Sequence, residues 1–257
     1  MKIAVTGKGG VGKTTFTAML CNSLEKEGIK VLAVDADPDA NLAATLGFPE
    51  DRHPTPVSEL KDLIAERTGA QPGTWGGIFK LNPKVDDIPD KYCLRRGSLS
   101  LLVMGTVEKG GSGCVCPESA FIKALISHMV FQGDQHLIMD MEAGLEHLGR
   151  GTTRMMDALV VVVRPDAKSS STARRIIPLW EDLGNKKILF VGNEARTPAD
   201  VEYLKKELKD HPLLGVIPES EKIRNSGREN MTPFEDERVN EVIKEIRARL
   251  EQELAGN

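Results

Sequence analysis

The run Gly7-Lys8-Gly9-Gly10-Val11-Gly12-Lys13-Thr14 combines the residue types that can grip a chain of phosphates. Its glycines let the backbone curl with N–H groups pointing inward, where phosphate oxygens find donors on several sides. Lys13 is placed to reach the β- and γ-phosphates and the Thr14 hydroxyl to ligate magnesium, with Gly9, Gly10, Val11, Gly12 and Thr15 completing the expected nucleotide cradle. Lys8 is surplus to such a loop, which needs only the lysine before its final Ser/Thr. At the least it would steer anions toward the site.

Three further clusters carry chemistry. In Asp35-Ala36-Asp37-Pro38-Asp39-Ala40-Asn41, carboxylates alternate just past an apolar run, where they can hold magnesium-bound water or orient an attacking water. Asp140 ends another apolar run, which suits a carboxylate holding the magnesium shell, and Gly144 gives the following loop freedom to move with the γ-phosphate. In Gly113-Cys114-Val115-Cys116-Pro117, two thiols one residue apart can converge on one metal, yet two sulfurs do not complete the four-coordinate site that thiolates usually build. A symmetric dimer would supply the other pair. Asn193 places an amide where it could donate to and accept from an adenine edge, and Pro218 begins a loop suited to packing on the ring.

These residues need elements to hold them. Apolar runs predict strands over Lys2–Thr6, Val31–Asp35, Leu99–Met104, Leu137–Asp140, Ala158–Val163, Lys187–Val191 and Leu213–Ile217. Helical spacing lies between them. Phe16, Leu20 and Leu24 share a face after the phosphate loop, as do Val57, Leu60, Leu63 and Ile64, and Phe121, Ile122, Leu125 and Met129. Ser169 to Leu183 and Pro198 to Leu208 add two more helices, and Val239, Val242, Ile246 and Leu250 give an amphipathic C-terminal one. Alternation of near-continuous apolar strands with amphipathic helices predicts an α/β fold, a mostly parallel sheet covered on both faces, in a single domain over 1–257. Thr68 to Gly77 and Pro83 to Gly97, rich in Gly, Pro and charge, read as surface loops.

Composition sets the outer bounds. With 257 residues, a formal charge of −4 and no dense basic stripe, nucleic acid is not the expected partner. No apolar run is long enough to span a bilayer, and the many glutamates beside the C-terminal apolar stripe argue against a stable anchor on anionic membranes. A cytoplasmic location is expected. Four cysteines do not make a disulfide framework; Cys21 reads as helix packing and Cys93 as an incidental thiol.

Lys8 within its phosphate loop resembles the deviant Walker A ATPases, the P-loop group that contains nitrogenase iron protein, MinD, ParA and the CooC-type nickel ATPases. Asp35 to Asn41 is similar to their switch I, with Asp37 where the family's aspartate acts on the hydrolytic water and Asp39 as its support. Asn41 stands where the nitrogenase-type branch carries another aspartate. Asp140-Met141-Glu142-Ala143-Gly144, followed by Glu146 to Gly151, resembles switch II of the CooC-type members, and Asn193 and Pro218 match positions that contact adenine. The resemblance implies that Lys8 crosses a homodimer interface to the other subunit's nucleotide, that ATP is hydrolysed to ADP with Mg2+, and that Cys114 and Cys116 of two subunits hold nickel, with zinc as competitor. It further implies delivery of that nickel to carbon monoxide dehydrogenase or acetyl-CoA synthase. A MinD- or ParA-like positioning switch and an iron–sulfur electron carrier are the competing readings. The lack of an Asn-Lys-x-Asp pattern favours ATP over GTP.

Overall fold

The computed structural model describes residues 1–70, 78–105, 116–132, 135–143, 150–185, 187–208, 210–229 and 231–256. Its strands are β1 (Lys2–Thr6), β2 (Val31–Ala36), β3 (Leu94–Arg96), β4 (Leu99–Val103), β5 (His136–Met141), β6 (Ala158–Val163), β7 (Ile188–Ala195) and β8 (Leu213–Pro218). They join in one eight-stranded sheet of order β3-β4-β2-β5-β1-β6-β7-β8, parallel throughout except where β3 runs antiparallel to β4. The predicted mostly parallel sheet is therefore present. Its order reverses at β1, which pairs with β5 on one side and β6 on the other. At such a reversal the loops leave the strand carboxyl ends in opposite directions and open a crevice for a ligand.

The helices are α1 (Lys13–Lys26), α2 (Leu42–Thr45), α3 (Lys61–Thr68), α4 (Ile88–Tyr92), α5 (Pro117–Gln132), α6 (Arg150–Thr153), α7 (Ala167–Asp182), α8 (Pro198–Glu207), α9 (Glu221–Arg228) and α10 (Glu237–Ala255). Because side chains alternate across a strand, each apolar strand feeds two cores. Ile3, Val5, Ala33, Ile138 and Val160 pack with Phe16 and Leu20 of α1 and Ile243 and Ile246 of α10. Ala4, Val34, Met139 and Val161 face the opposite way, toward Phe121 and Leu125 of α5 and Trp180 of α7. Apolar residues on both sides of every central strand follow from that arrangement.

Three local expectations change. Within the supposed loop Pro83 to Gly97 lie α4 and the edge strand β3, a hairpin whose Gly97 turns at φ 53° and whose Arg96 reaches Glu25 of α1 at 2.7 Å. Three residues are too few to show strand periodicity, so only pairing with β4 reveals it. The helix expected through Val57, Leu60, Leu63 and Ile64 is broken at Leu60 (φ −77°, ψ 67°), with a short 3-10 turn, Val57–Glu59, before α3. Cys93, between α4 and β3 rather than in an open loop, packs partly against the α5-side core, and burial pushes its pKa up to about 12. Cys21 is fully buried in α1 as expected, its thiol likewise pushed up by burial.

Candidate active site

The phosphate loop joins β1 to α1 at the point where the sheet order reverses. Two of its glycines are required by neighbours as well as by backbone angle. A Cβ on Gly7 (φ 149°) would lie 2.4 Å from the Val162 carbonyl oxygen, and one on Gly12 (φ 93°) 2.2 Å from Asn193 Nδ2. Side chains cap the N-termini of α7 (Asp166), α8 (Thr197), α9 (Ser220) and α10 (Asp236). At α1 no side chain caps the helix and no acidic residue stands in the first turn. Its free N–H groups and partial positive charge are therefore left for an anion.

Lys13, only 6% exposed, points its Nζ to within 3.8 Å of Asp37 Oδ2. The loop lysine and the carboxylate segment after β2 are thus brought together. Asp37 Oδ1 also accepts the Asp39 N–H at 3.0 Å. Asp39 itself is exposed, so its backbone rather than its carboxylate supports Asp37. Asn41 donates its amide to the Asp39 carbonyl at 2.8 Å, closing the turn.

Asp35 opens the carboxylate run, and its sequence position alone gives it no role separate from Asp37 and Asp39. It pairs in register with Asp140 on the neighbouring strand, and both are fully buried. Strand parity puts both on the α1 side, since Asp35 follows Val31 and Ala33 and Asp140 follows Ile138, all in the α1 core. Asp35 ties the segment after β2 back to the sheet: Oδ2 accepts the Leu42 N–H at 2.9 Å and Oδ1 the Asp37 N–H at 3.2 Å. Burial pushes its pKa up to about 6 against those two bonds. Asp140 is pushed up to about 7, again chiefly by burial, with a hydrogen bond from Thr14 opposing and the Asp35 charge reinforcing.

Asp140 Oδ1 lies 3.4 Å from the Thr17 hydroxyl, and its Oδ2 is buried with no hydrogen-bond partner. An orphaned carboxylate oxygen beside the Thr14 hydroxyl is a hard-oxygen donor set that fits magnesium. No group of three or more His, Cys, Asp or Glu side chains among the described residues could hold a metal alone, so phosphate oxygens and water would complete that shell. Thr6, at the end of β1, donates its hydroxyl to the Glu142 carbonyl at 2.8 Å and so ties the residue just past β5 to the root of the phosphate loop. Glu142 itself is exposed.

From the phosphate loop a cavity of about 420 Å³ runs to the end of β8. Thr14 and Thr15 of α1, Asn193, Pro218 and Arg224 are among the residues that line it. That volume falls within the range of sites for small ligands and cofactors. Asn193 does not present its amide only to the cavity: Nδ2 donates to the Val11 carbonyl at 2.7 Å. At the far end Glu219 is held by Arg196 at 2.9 Å and Arg224 at 3.3 Å.

Lys8 is half-exposed, and no ion pair among the described residues uses it. Gly113, Cys114 and Val115 lie outside the described residues, as do Gly144 and positions 146–149. Cys116 is described. It stands immediately before α5, half-buried, with its sulfur 3.4 Å from the Ser119 N–H, and burial raises its pKa above the ordinary thiol value.

Comparison with known proteins agrees with this geometry. The CobQ/CobB/MinD/ParA nucleotide binding domain matches residues 2–234. The carbon monoxide dehydrogenase accessory protein CooC of Rhodospirillum rubrum is 48% identical over 85% of this chain and 83% of its own length. An uncharacterized ATP-binding protein of Methanocaldococcus jannaschii is 46% identical over 88% of each. Among solved structures, MinD of Pyrococcus horikoshii complexed with Mg-ADP shares the fold at a TM-score of 0.69 and 23% identity, covering 99% of this chain and 97% of that one. A chain of the MinC:MinD complex of Aquifex aeolicus does so at 0.71 and 24%, covering 98% and 96%. The chain is an ATPase of the CobQ/CobB/MinD/ParA nucleotide-binding family and belongs to its CooC-type branch.

Proposed function

We propose that this ATPase is a nickel metallochaperone that works as a cytoplasmic homodimer and serves carbon monoxide dehydrogenase or its acetyl-CoA synthase partner. The observation that carries the reading is the extent of likeness to the CooC accessory protein, 48% identity over 85% of the chain. The Cys114-Val115-Cys116 segment of the sequence supports it, since a pair of thiols from each of two subunits makes a four-sulfur site for nickel or zinc. Nickel is here the cargo.

In the ATP cycle, the phosphate loop and the uncapped N-terminus of α1 bind the phosphates. Thr14 and Asp140 would hold magnesium, which neutralises charge on the β- and γ-phosphates when bound. Lys13, now 3.8 Å from Asp37, is drawn toward the γ-phosphate. Asp37 is then left to accept a hydrogen bond from the attacking water and hold it in line, while Asp35 keeps switch I fastened through Leu42. Lys8 contacts the nucleotide of the partner subunit. ATP then favours the closed dimer by the difference of its affinity for closed over open, and hydrolysis removes that difference so that the thiolates can release metal. Pro218 and the free face of Asn193 pack on adenine.

Metal content measured anaerobically by chelator competition, with and without ATP, tests the reading. The wild-type dimer should hold about one nickel per two subunits, as a four-thiolate site requires. Cys114→Ala and Cys116→Ala should abolish that binding while keeping much of the ATP turnover. Undiminished binding in both variants would overturn the thiolate site. A brown chromophore after anaerobic purification would instead point to an iron–sulfur carrier.

A further inference from the structure

We infer that Asn193 is a positioning residue for the phosphate loop and that a β-bulge held by Arg164 and Glu194 aims it there. The inference rests on ATP binding by this loop and is independent of the nickel proposal. In the β7–β8 ladder Gly192 pairs with Val216 and Ala195 with Pro218. Asn193 and Glu194 therefore stand opposite Ile217 alone, two residues against one. Such a bulge bends its strand and redirects a side chain. Here Glu194 adopts φ 56°, the sole positive value recorded for a non-glycine residue among those described. A left-handed glutamate is strained and persists only where its surroundings impose it. Arg164, which follows β6, meets the Glu194 carboxylate at 2.8 Å and supplies that constraint.

The redirected side chain enters the loop. Asn193 is 9% exposed, and its Nδ2 donates to the Val11 carbonyl at 2.7 Å. It also occupies the space a Cβ at Gly12 would need, 2.2 Å away, so Gly12 supplies the notch into which the amide fits. Peptide planarity sets the Gly12 N–H antiparallel to the Val11 carbonyl. Anchoring that carbonyl to β7 thereby turns the Gly12 N–H away from Asn193 and fixes one of the loop's donors before any phosphate arrives. The strand that reads the nucleoside and the loop that grips the phosphates are thus one unit, and a side chain expected to serve adenine also serves phosphate.

A ligand without a base separates the two roles. Titration calorimetry would compare magnesium ATP with magnesium tripolyphosphate on wild type and Asn193→Ala. If Asn193 positions the loop, tripolyphosphate weakens roughly five- to ten-fold for one buried hydrogen bond, and ATP weakens by at least that factor. Amides of residues 7–12 should also exchange hydrogen faster in the variant without ligand. A tripolyphosphate affinity equal to wild type would overturn the inference, whether or not ATP binding falls, because the residue would then act on adenine or on nothing. Should Asn193→Ala fail to fold, Arg164→Gln carries the same comparison. A smaller weakening of tripolyphosphate, matched or exceeded for ATP, supports the held bulge, and an unchanged tripolyphosphate affinity overturns it.

Discussion

Asp140 combines full burial with an unpartnered carboxylate oxygen. Its Oδ2 has no hydrogen-bond partner, its neighbour in register is another buried carboxylate, and burial has raised both acids well above the usual range. Replacing it by asparagine removes a buried charge and gives Asp35 a potential donor. Asp140→Asn should therefore raise the thermal midpoint measured without nucleotide or metal by about 2–4 °C, the shift that ~1 kcal/mol produces in a chain of this size. It should also sharply reduce ATP turnover, as the magnesium-holding role proposed for it implies. A lowered midpoint in differential scanning fluorimetry would show that the carboxylate stabilises the fold. Lys13→Ala is the complementary change. It leaves Asp37 without its cation and should stop turnover in a phosphate-release assay.

At the scale of elements, α10 decides between a docked helix and a surface anchor. Val239, Ile243, Ile246 and Leu250 are buried, and the contact with β8 is close enough that a Cβ on Gly215 would lie 2.6 Å from Ile246 Cγ1. The apolar stripe that a positioning protein would need free for lipid is spent on the core. Ile246→Ala should cost about 2–5 kcal/mol in urea unfolding, the range for truncating a buried aliphatic side chain. The wild-type protein should not pellet with anionic liposomes in the presence of ATP. ATP-dependent pelleting would revive the positioning reading. No helix among the described residues is long and apolar enough to cross a membrane.

For the whole molecule, the proposed homodimer makes Lys8 the informative residue. It sits in the phosphate loop, half-exposed and outside the ion pairs of the described residues, where a second subunit's nucleotide could meet it. Lys8→Ala should keep ATP binding to the monomer within about two-fold while weakening ATP-induced dimerisation at least ten-fold, since an exposed lysine adds little within its own subunit. Light scattering coupled to size exclusion, run with a non-hydrolysed ATP analogue, reads both masses. Unchanged dimerisation would reduce Lys8 to a local charge.

The order of motifs in the chain was enough to identify the phosphate loop, to place Asp37 and Asp140 at strand ends and to anticipate a parallel sheet, because glycine spacing and apolar runs are local properties of sequence. That the carboxylates after β2 could lie near the phosphate loop was legible for the same reason, since both segments follow strand ends, and the structure places Asp37 Oδ2 3.8 Å from Lys13 Nζ. What local pattern does not carry is which face of a strand each side chain takes when both faces are apolar. Asp35 and Asp140 therefore became neighbours only through the register of β2 on β5 and the packing of α1 over that face. The edge strand β3, three residues long, had no period to read and exists through its pairing with β4. Asn193 shows the division most clearly. Its position at a strand end was visible in the sequence, but its direction was set by a bulge between β7 and β8, a property of two strands together that neither sequence contains alone.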